Sequence, residues 1–330
     1  GREKRGIGEK LTMQGLLNFR ARSEEIKKPP SKFLRPYQEE AVSETLALIH
    51  EGKHPVISLP TGSGKSRVIA ALCHKLPGRV LVATHRKELL TQNSDELSLL
   101  APTDYGIYSA GLSRREADSR IIFGGIQSIY GRMEELQASG PFAAVIVDEA
   151  HRVSYRDQTT MYGNVFASCP DASRIGLSAT PYRLDGGPIW GDGCWFDSLA
   201  VDVSIRDLTP EYLAPLRGIL TAHDIDLSGV RVQSGEYVLS DMSQVACDEQ
   251  LIKEAVSELC RLAAYRHRWI VFCIDVAHTE MVAQEIAGRG IPTGIITGKT
   301  PSDERERTIA GFSAGKLRVL VNCQVFVEGL

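Results

Sequence analysis

The chain has 330 residues, with 38 lysines and arginines against 41 aspartates and glutamates, and a formal net charge of −3 at pH 7. Its 43% hydrophobic and 24% charged residues exclude disordered, collagen-like and coiled-coil classes. No apolar run reaches the roughly 18–20 residues that cross a bilayer, and the charged first residues lack the apolar segment of a secretory signal, so we expect no membrane association. The net charge does not exclude nucleic acid, because a local stripe of lysine and arginine is enough for phosphate contact.

The cysteine pattern bears on metal binding and on the compartment. Seven cysteines are scattered along the chain, and none belongs to a Cys-x-x-Cys pair. This spacing argues against a zinc site and is typical of reduced, mostly buried thiols. It therefore predicts a cytoplasmic protein in a reducing, intracellular environment.

The first 210 residues alternate between short apolar runs and helix-length segments. Residues 1–30 are charged, end in Pro29-Pro30 and predict an N-terminal extension. Val/Ile runs without polar alternation are typical of parallel strands covered on both faces, so the fold class is α/β with a doubly wound sheet. The predicted strands are 55–59, 79–83, 120–123, 143–147 and 174–177, and the predicted helices are 66–75, 86–97, 126–136 and 158–167.

The second part of the chain repeats this organisation after an interruption. Residues 185–250 are Gly-rich and polar, which predicts a connector with small β elements, and the last predicted strand stops shortly before Leu330, so we expect the second domain to be incomplete in this chain. The later elements are a helix at 250–264, a strand at 269–274, a helix at 277–287, a strand at 293–297, a helix at 303–312 and a strand at 317–322. The predicted domains are an extension at 1–30, a first α/β domain at 31–210, a connector at 211–250 and a second α/β domain at 251–330.

The segment LPTGSGKS at 59–66 carries the strongest functional signal, because it lies between a predicted strand and a predicted helix. Its glycines let backbone N–H groups converge on a phosphate, and the start of the helix presents its positive end to the anion. Lys65 would reach the β- and γ-phosphates, and the Ser66 hydroxyl would bind Mg²⁺. The formal pattern places a glycine where Leu59 stands, and a plain glycine turn is the alternative interpretation. The nucleotide-binding candidates here are Thr61, Gly62, Ser63, Gly64, Lys65 and Ser66.

Two adjacent carboxylates follow the apolar strand that ends in VIVDEAH at 145–151. Ionised side chains at the end of a buried strand are costly unless they meet a cation or a reacting group. Asp148 would hold Mg²⁺, and Glu149 would polarise the attacking water. His151 would connect this site to a neighbouring polar segment; solvated or capping residues are the alternative for all three. Further along, Ser178 and Thr180 in SATP follow another strand and are candidates for that connection.

The order of these segments resembles that of superfamily 2 helicases and translocases with the DEAH-box spelling, over residues 33–330. The resemblance implies two tandem RecA-like domains, with ATP and Mg²⁺ between them and nucleic acid across both. FLRPYQ at 33–38 is similar to the family's adenine-recognition motif, in which Gln38 matches the glutamine that reads the base and Arg35 joins the nucleotide-binding candidates. The spellings LRPYQ, ATHRKEL, FGGIQS and LVN are most similar to RadD-like DNA-dependent ATPases, and less closely to type III restriction subunits.

Nucleic-acid candidates follow from two other segments of this resemblance. ATHRKEL at 83–89 looks like motif Ia, and GGIQS at 124–128 corresponds to the next contacting segment. Polar and basic side chains at strand ends can bind phosphates without reading sequence, although a solvated charged face is the alternative. Arg114-Arg115 we interpret as surface charge. The candidates are His85, Arg86, Lys87, Gln127 and Ser128.

The second domain departs from the family pattern. Residues 270–273 look like motif IV, residues 296–299 resemble the "TG" segment and residues 322–329 look like the start of motif V, whose aspartate is absent. Motif VI, which supplies the family's arginine finger, and the cysteine cluster of RadD-like proteins are absent too. An arginine finger raises the rate of hydrolysis by roughly 10³–10⁵. We therefore expect these residues alone to bind nucleotide, but to hydrolyse it hundreds-fold more slowly than a protein that includes motif VI.

The sequence thus predicts an ATP hydrolase that drives a nucleic-acid helicase or translocase. We expect DNA as the nucleic acid, a role in repair or remodelling, and protein partners from repair or defence complexes. Two alternatives remain: the motor subunit of a restriction or phage-defence assembly, and an ATP-gated nucleic-acid clamp with little hydrolysis.

Overall fold

The structure is a computed structural model of the chain, and it describes residues 34–100, 104–153, 157, 159–183, 187–219, 226–233 and 236–323. The chain divides into two compact units, the first ending at Leu216 and the second starting at Arg217. The predicted N-terminal extension, at 1–30, lies outside the described residues, and the predicted domain limits stay predictions. Within the described part of the chain, no helix has the length and apolar content needed to cross a membrane.

The first unit is built on an eight-stranded sheet in the order β10-β1-β7-β6-β2-β5-β3-β4. Every neighbouring pair is parallel except β3 and β4 at one edge, which are antiparallel. The strands of this sheet are β1 Pro55–Ser58, β2 Arg79–Thr84, β3 Tyr105–Ser109, β4 Arg114–Arg115, β5 Ile121–Gly125, β6 Phe142–Asp148, β7 Ser173–Ser178 and β10 Ser198–Asp202. A separate antiparallel hairpin consists of β8 Tyr182–Arg183 and β9 Gly187–Pro188.

Helices cover both faces of this sheet. Successive residues of a strand point to opposite faces, so Ile57 and Val82 pack on one side while Val56 and Leu81 pack on the other. The helices are α1 Pro36–His50, α2 Lys65–Lys75, α3 Lys87–Leu100, α4 Ile126–Ile129, α5 Met133–Leu136, α6 Met161–Ser168 and α7 Ile205–Leu208, with 3₁₀ turns at Ala110–Leu112 and Ala150–Arg152. The first face packs against α1, α2 and α3, and the second against α4, α5 and α6. The predicted doubly wound α/β fold is confirmed.

The second unit has its own smaller parallel sheet, in the order β13-β15-β14. Its strands are β13 Trp269–Cys273, β14 Thr293–Ile296 and β15 Val319–Cys323, and an antiparallel hairpin is formed by β11 Val232–Gln233 and β12 Glu236–Tyr237. Its helices are α8 Leu239–Ala246, α9 Glu249–Leu262, α10 Val276–Gly288 and α11 Ser302–Ser313. Helices α9 and α10 pack on one face of the sheet, and α11 packs on the other.

Two local predictions are wrong. The predicted helix at 126–136 is two short helices, α4 and α5, because Arg132 has φ −135°, outside the helical region. The predicted helix at 158–167 begins only at Met161, because the Thr160 hydroxyl caps it by accepting a hydrogen bond from the Gly163 N–H. The polar stretch at 185–250, for which small β elements were predicted, contains strand β10, which pairs with β1 in the first sheet.

Candidate nucleotide and nucleic-acid site

The strand order brings the three nucleotide-site segments to one edge of the sheet. Strands β1, β7 and β6 are consecutive neighbours, and all three are parallel. Their carboxyl ends lead into the segments at 59–66, 178–180 and 148–151, respectively. Strands β2 and β5 come next in the sheet and lead into the predicted nucleic-acid segments. Ligands of open α/β sheets bind at this edge, beyond the carboxyl ends of the strands.

The loop at 59–66 depends on its two glycines. Gly62 and Gly64 have φ values of +81° and +80°, a left-handed conformation that favours glycine. A Cβ atom on Gly64 would lie 2.7 Å from Gln38 Nε2, and one on Gly62 would lie 3.1 Å from Leu213 Cδ2. Both the backbone conformation and the close neighbours therefore exclude a larger side chain at Gly64.

Helix α1 holds this loop from one side. The Gln38 Nε2 and the Tyr37 hydroxyl each donate to the Ser63 carbonyl at 2.7 Å, while Gln38 Oε1 accepts from the Arg35 N–H at 2.9 Å. Gln38 is only 1% exposed, so both ends of its amide are engaged within the protein. The Arg35 guanidinium donates to the Tyr37 hydroxyl at 3.0 Å and lies 5.1 Å from the ring centroid of Tyr212. The reading of adenine by Gln38 stays a prediction.

The loop has the chemistry that a phosphate group requires. The Ser63 hydroxyl is buried and has no hydrogen-bond partner among the described residues, so it is a donor available to a ligand. Lys65 and Ser66 start helix α2; the Lys65 Nζ lies 3.5 Å from the Leu59 carbonyl, and Ser66 is 6% exposed. Thr61 is exposed. The unpaired Ser63 hydroxyl, the Lys65 ammonium group and the start of α2 are suited to binding an anion. The Ser66 hydroxyl and the Asp148 carboxylate are suited to binding Mg²⁺.

Asp148 is held from two sides at the end of β6. Its Oδ2 accepts from Asn93 Nδ2 at 3.2 Å, and its Oδ1 accepts from the Glu149 N–H at 3.0 Å. Burial raises the pKa of Asp148 above its ordinary value, and the charge of Glu149 adds to this effect. The Asn93 hydrogen bond and the charge of Lys65 act in the opposite direction. A nearby dication would stabilise the ionised form of this carboxylate.

Glu149 and His151 form a hydrogen-bonded group with the strand end of β7. The His151 Nδ1 lies 3.3 Å from Glu149 Oε2 and 3.2 Å from Ser178 Oγ. Ser178 Oγ donates to the Thr180 carbonyl at 3.0 Å and accepts from the Thr180 N–H at 3.1 Å. A carboxylate can only accept, so the contact with Glu149 is a hydrogen bond when His151 Nδ1 carries the proton. The structure brings the predicted coupling residues His151, Ser178 and Thr180 together, Thr180 through its backbone.

The two adjacent carboxylates have opposite pKa shifts. Burial alone would raise the pKa of Glu149, but the His151 hydrogen bond and the charges of Lys65 and Arg152 together bring it below its ordinary value. Glu149 also has φ +56°, a rare conformation for a residue other than glycine. Strained backbone and separated pKa values are typical of functional sites.

A basic groove, which we define by its lining residues, lies at the ends of β2, β3 and β5. The cavity has a volume of about 600 Å³, and the Gln127 Nε2 lies 3.5 Å from His85 Nε2 on one wall. The Ser128 hydroxyl accepts from the Ala110 N–H at 3.0 Å, which joins α4 to the turn after β3. The groove is lined by His85, Arg86, Lys87, Glu88, Leu90, Ser109, Ala110, Gly111, Arg115, Gly125, Gln127, Ser128 and Arg132. All five predicted nucleic-acid residues lie in it.

Sequence reasoning missed two functional candidates. Arg115, interpreted above as surface charge, lines the basic groove, whereas Arg114 forms an exposed ion pair with Glu116 at 2.8 Å. The signal that separates these arginines is the antiparallel β4 strand, whose neighbouring side chains point to opposite faces. Asn93 gave no signal, because nothing in a helical segment indicates contact with a carboxylate 55 positions away.

Comparison with known families connects this geometry to a class of proteins. Residues 31–183 match the family model of the type III restriction enzyme, res subunit, and residues 251–330 match that of the helicase conserved C-terminal domain. The chain is therefore similar to these two families, each over a separate region.

Individual relatives are described as a helicase and as a translocase. A protein of Schizosaccharomyces pombe described as a mitochondrial ATP-dependent helicase, irc3, is 30% identical over 90% of this chain and 50% of its own length. The DNA 3'-5' translocase XPB2 of Sulfurisphaera tokodaii is 26% identical over 90% of this chain and 72% of its own length. The chain spans about half the length of these curated helicase relatives: 50% of irc3 and 45% of the protein IRC3 of Saccharomyces cerevisiae.

Solved structures support the fold. S. cerevisiae Dbp5 bound to RNA and ADP BeF3 has a TM-score of 0.55 at 16% identity, covering 96% of this chain and 75% of that one. The Pyrococcus furiosus Hef helicase domain has a TM-score of 0.54 at 15% identity, covering 88% of this chain and 86% of that one. The tandem RecA-like α/β architecture predicted from the sequence is therefore confirmed.

Proposed function

We propose that the chain is the ATP-driven motor of a helicase or translocase that acts on DNA. The observation that carries this proposal is the shared edge of the first sheet, where β1, β7 and β6 present the nucleotide segments and β2 and β5 present the basic groove. Hydrolysis at one end of this edge can then change the grip on a nucleic-acid strand at the other.

The nucleotide half has a donor or acceptor for each task of phosphoryl transfer. The backbone of the 59–66 loop, the Ser63 hydroxyl and Lys65 would bind the phosphates. Bound Mg²⁺ would neutralise charge on the β- and γ-phosphates, and Ser66 and Asp148 would hold it.

Glu149 would orient and polarise the attacking water. Its lowered pKa keeps it ionised at neutral pH, as a residue that takes up a proton from water must be. His151 holds the Glu149 carboxylate and contacts Ser178, so it would report the nucleotide state to the strand end of β7. These contacts support the predicted roles of His151, Ser178 and Thr180 in coupling.

The basic groove would bind the phosphate backbone. Arg86, Lys87, Arg115 and Arg132 supply four cations against one acid, Glu88, among its lining residues. Charge and hydrogen bonds to phosphates give grip without sequence preference, which a protein that moves along a strand requires.

The choice of DNA and of a repair or remodelling role goes beyond the domain assignment. DNA is supported by the relative described as a DNA translocase and by the RadD-like spelling of the motifs. The RadD-like, DEAH-type assignment and the protein partners stay predictions. An intracellular location stays a prediction as well; the seven cysteines are free thiols, which agrees with a reducing compartment.

A second candidate is the motor subunit of a restriction or phage-defence assembly, whose final output belongs to a partner. The match of residues 31–183 to the res subunit of type III restriction enzymes favours it. An ATP-gated clamp with little hydrolysis is the third.

The proposal is tested by ATP hydrolysis of the chain with single-stranded, double-stranded and forked DNA and with RNA. We expect DNA to stimulate turnover more than RNA does, and Lys65→Ala to abolish both nucleotide binding and turnover while the chain stays folded. Turnover that stays low with every nucleic acid would favour the clamp over the motor, and full turnover in Lys65→Ala would refute the nucleotide site. Stimulation that appears only with a nuclease partner favours the restriction motor.

A further inference from the structure

Asn93 is a buried polar residue that the mechanism above does not use. It lies in the middle of α3 and is 0% exposed. Its Nδ2 donates to Asp148 Oδ2 at 3.2 Å, and its Oδ1 is buried with no hydrogen-bond partner among the described residues. An unpaired buried amide oxygen costs stability, and a leucine of similar size would avoid that cost. The contact with Asp148 is what an asparagine provides here.

Helix α3 also contacts α2, the helix that follows the phosphate loop. The Arg67 guanidinium on α2 forms an ion pair with Glu96 on α3 at 3.2 Å. Arg67 lies two residues after Lys65, the first residue of α2. Helix α3 is thus attached both to the phosphate-loop helix and, through Asn93, to Asp148.

The other end of α3 lies in the basic groove. The helix begins at Lys87, which lines the groove directly after His85 and Arg86. Lys87 and Asn93 are six positions apart, or about 9 Å along the axis of a helix with 1.5 Å rise per residue. Because a helix is hydrogen-bonded along its length, a displacement at its first turn displaces the second as well.

We infer that Asn93 is a positioning residue, which links occupation of the basic groove to the orientation of the Asp148 carboxylate through α3. This inference rests on the proposed function, because it assigns Mg²⁺ to Asp148 and nucleic acid to the groove. Asn93 contacts neither ligand; it orients the Asp148 carboxylate, which would bind Mg²⁺. Removing a residue that orients a metal ligand typically changes metal affinity or activity by about 10- to 100-fold.

The variant Asn93→Leu keeps the buried volume and removes the donor. Its matched control is Ser94→Ala, because Ser94 is 1% exposed on the same helix and its hydroxyl donates only to the Thr91 carbonyl among the described residues. The probe is fluorescent ADP, with its affinity measured in Mg²⁺ and in EDTA, and each with and without single-stranded DNA. Thermal melting reports folding.

We expect Asn93→Leu to bind ADP in EDTA within about twofold of the parent chain and to bind DNA equally well. The gain in ADP affinity on adding Mg²⁺ should fall about 10-fold or more. In the parent, DNA should change the ADP–Mg²⁺ affinity by about 5-fold or more, and in Asn93→Leu that factor should approach one. Ser94→Ala should behave as the parent does.

Equal Mg²⁺ and DNA responses in Asn93→Leu and the parent would overturn the inference, as would a parent whose ADP affinity does not respond to DNA. If Asn93→Leu fails to melt cooperatively, Asn93→Ser is measured instead; its hydroxyl is too short to replace the amide, so the same losses are expected and their absence overturns the inference. A parent that binds no ADP in Mg²⁺, or a Lys65→Ala variant that binds it normally, refutes the proposed function itself.

Discussion

Replacing Gly64 by alanine tests the shape of the phosphate loop. Gly64 precedes the first residue of α2 and has φ +80° and ψ +44°. A Cβ atom there would lie 2.7 Å from Gln38 Nε2, and that nitrogen donates to the Ser63 carbonyl. Alanine therefore forces either the loop or the Gln38 side chain to move.

Two contributions set the size of the effect. The left-handed conformation costs an alanine about 1–2 kcal/mol more than a glycine. Displacing Gln38 removes a hydrogen bond with a net value of about 1 kcal/mol. Together these contributions make the binding conformation of the loop about 2–3 kcal/mol less favourable. At 1.4 kcal/mol per factor of ten, ADP affinity should therefore fall about 30- to 140-fold.

Gly52 provides the matched control. It has φ +77°, and a Cβ on it would meet no heavy atom of the described residues within 4 Å, so Gly52→Ala carries the backbone strain without the collision. We expect Gly52→Ala to lower the melting temperature slightly and to leave ADP affinity unchanged. Affinity in Gly64→Ala equal to that of the parent chain would refute the geometry of the loop.

Three further predictions concern the water-activating residue, the groove and the thiols. Glu149→Gln should bind ATP normally but turn it over about 10²–10⁴-fold more slowly, in a steady-state assay with DNA; unchanged turnover would assign Glu149 a structural role. Arg115→Gln should weaken duplex DNA binding and reduce its logarithmic salt slope by about 0.9 in fluorescence anisotropy, whereas Arg114→Gln should not; equal effects would remove Arg115 from the groove. Burial raises the pKa of the Cys73 thiol to about 12, so at pH 8 it stays protonated and iodoacetamide should modify it only after unfolding; rapid modification of the folded chain, read by mass spectrometry, contradicts its burial.

The fold could be predicted where strands are covered on both faces. Strands β1, β2 and β6 consist mainly of apolar residues without alternation, and the sequence locates each within two residues. Strand β10, Ser198–Asp202, is only half-buried and was not among the predicted strands, because its pairing with β1 is a tertiary contact. Helix α1 was missed because its apolar positions form only a weak amphipathic stripe.

The residues of the candidate site also divide into those that the sequence predicts and those that it does not. Lys65 and Glu149 each lie within a short motif, so their place in the candidate site could be predicted from that motif. Asn93 and Arg115 could not, because their positions depend on which strands become neighbours and on which face a two-residue strand presents. Gln38 lies between these cases: the resemblance placed it among the nucleotide-binding residues, but its hydrogen bond to the Ser63 carbonyl was not expected.

The measurement that tests the central claim most directly is the DNA affinity of the Glu149→Gln chain with no nucleotide, with ADP and with ATP. This variant keeps ATP intact, so each nucleotide state can be measured at equilibrium by fluorescence anisotropy. If the nucleotide site and the basic groove on the shared sheet edge are coupled, DNA affinity with ATP should differ from that with ADP by about 5- to 150-fold. The same DNA affinity in all three states would contradict the account.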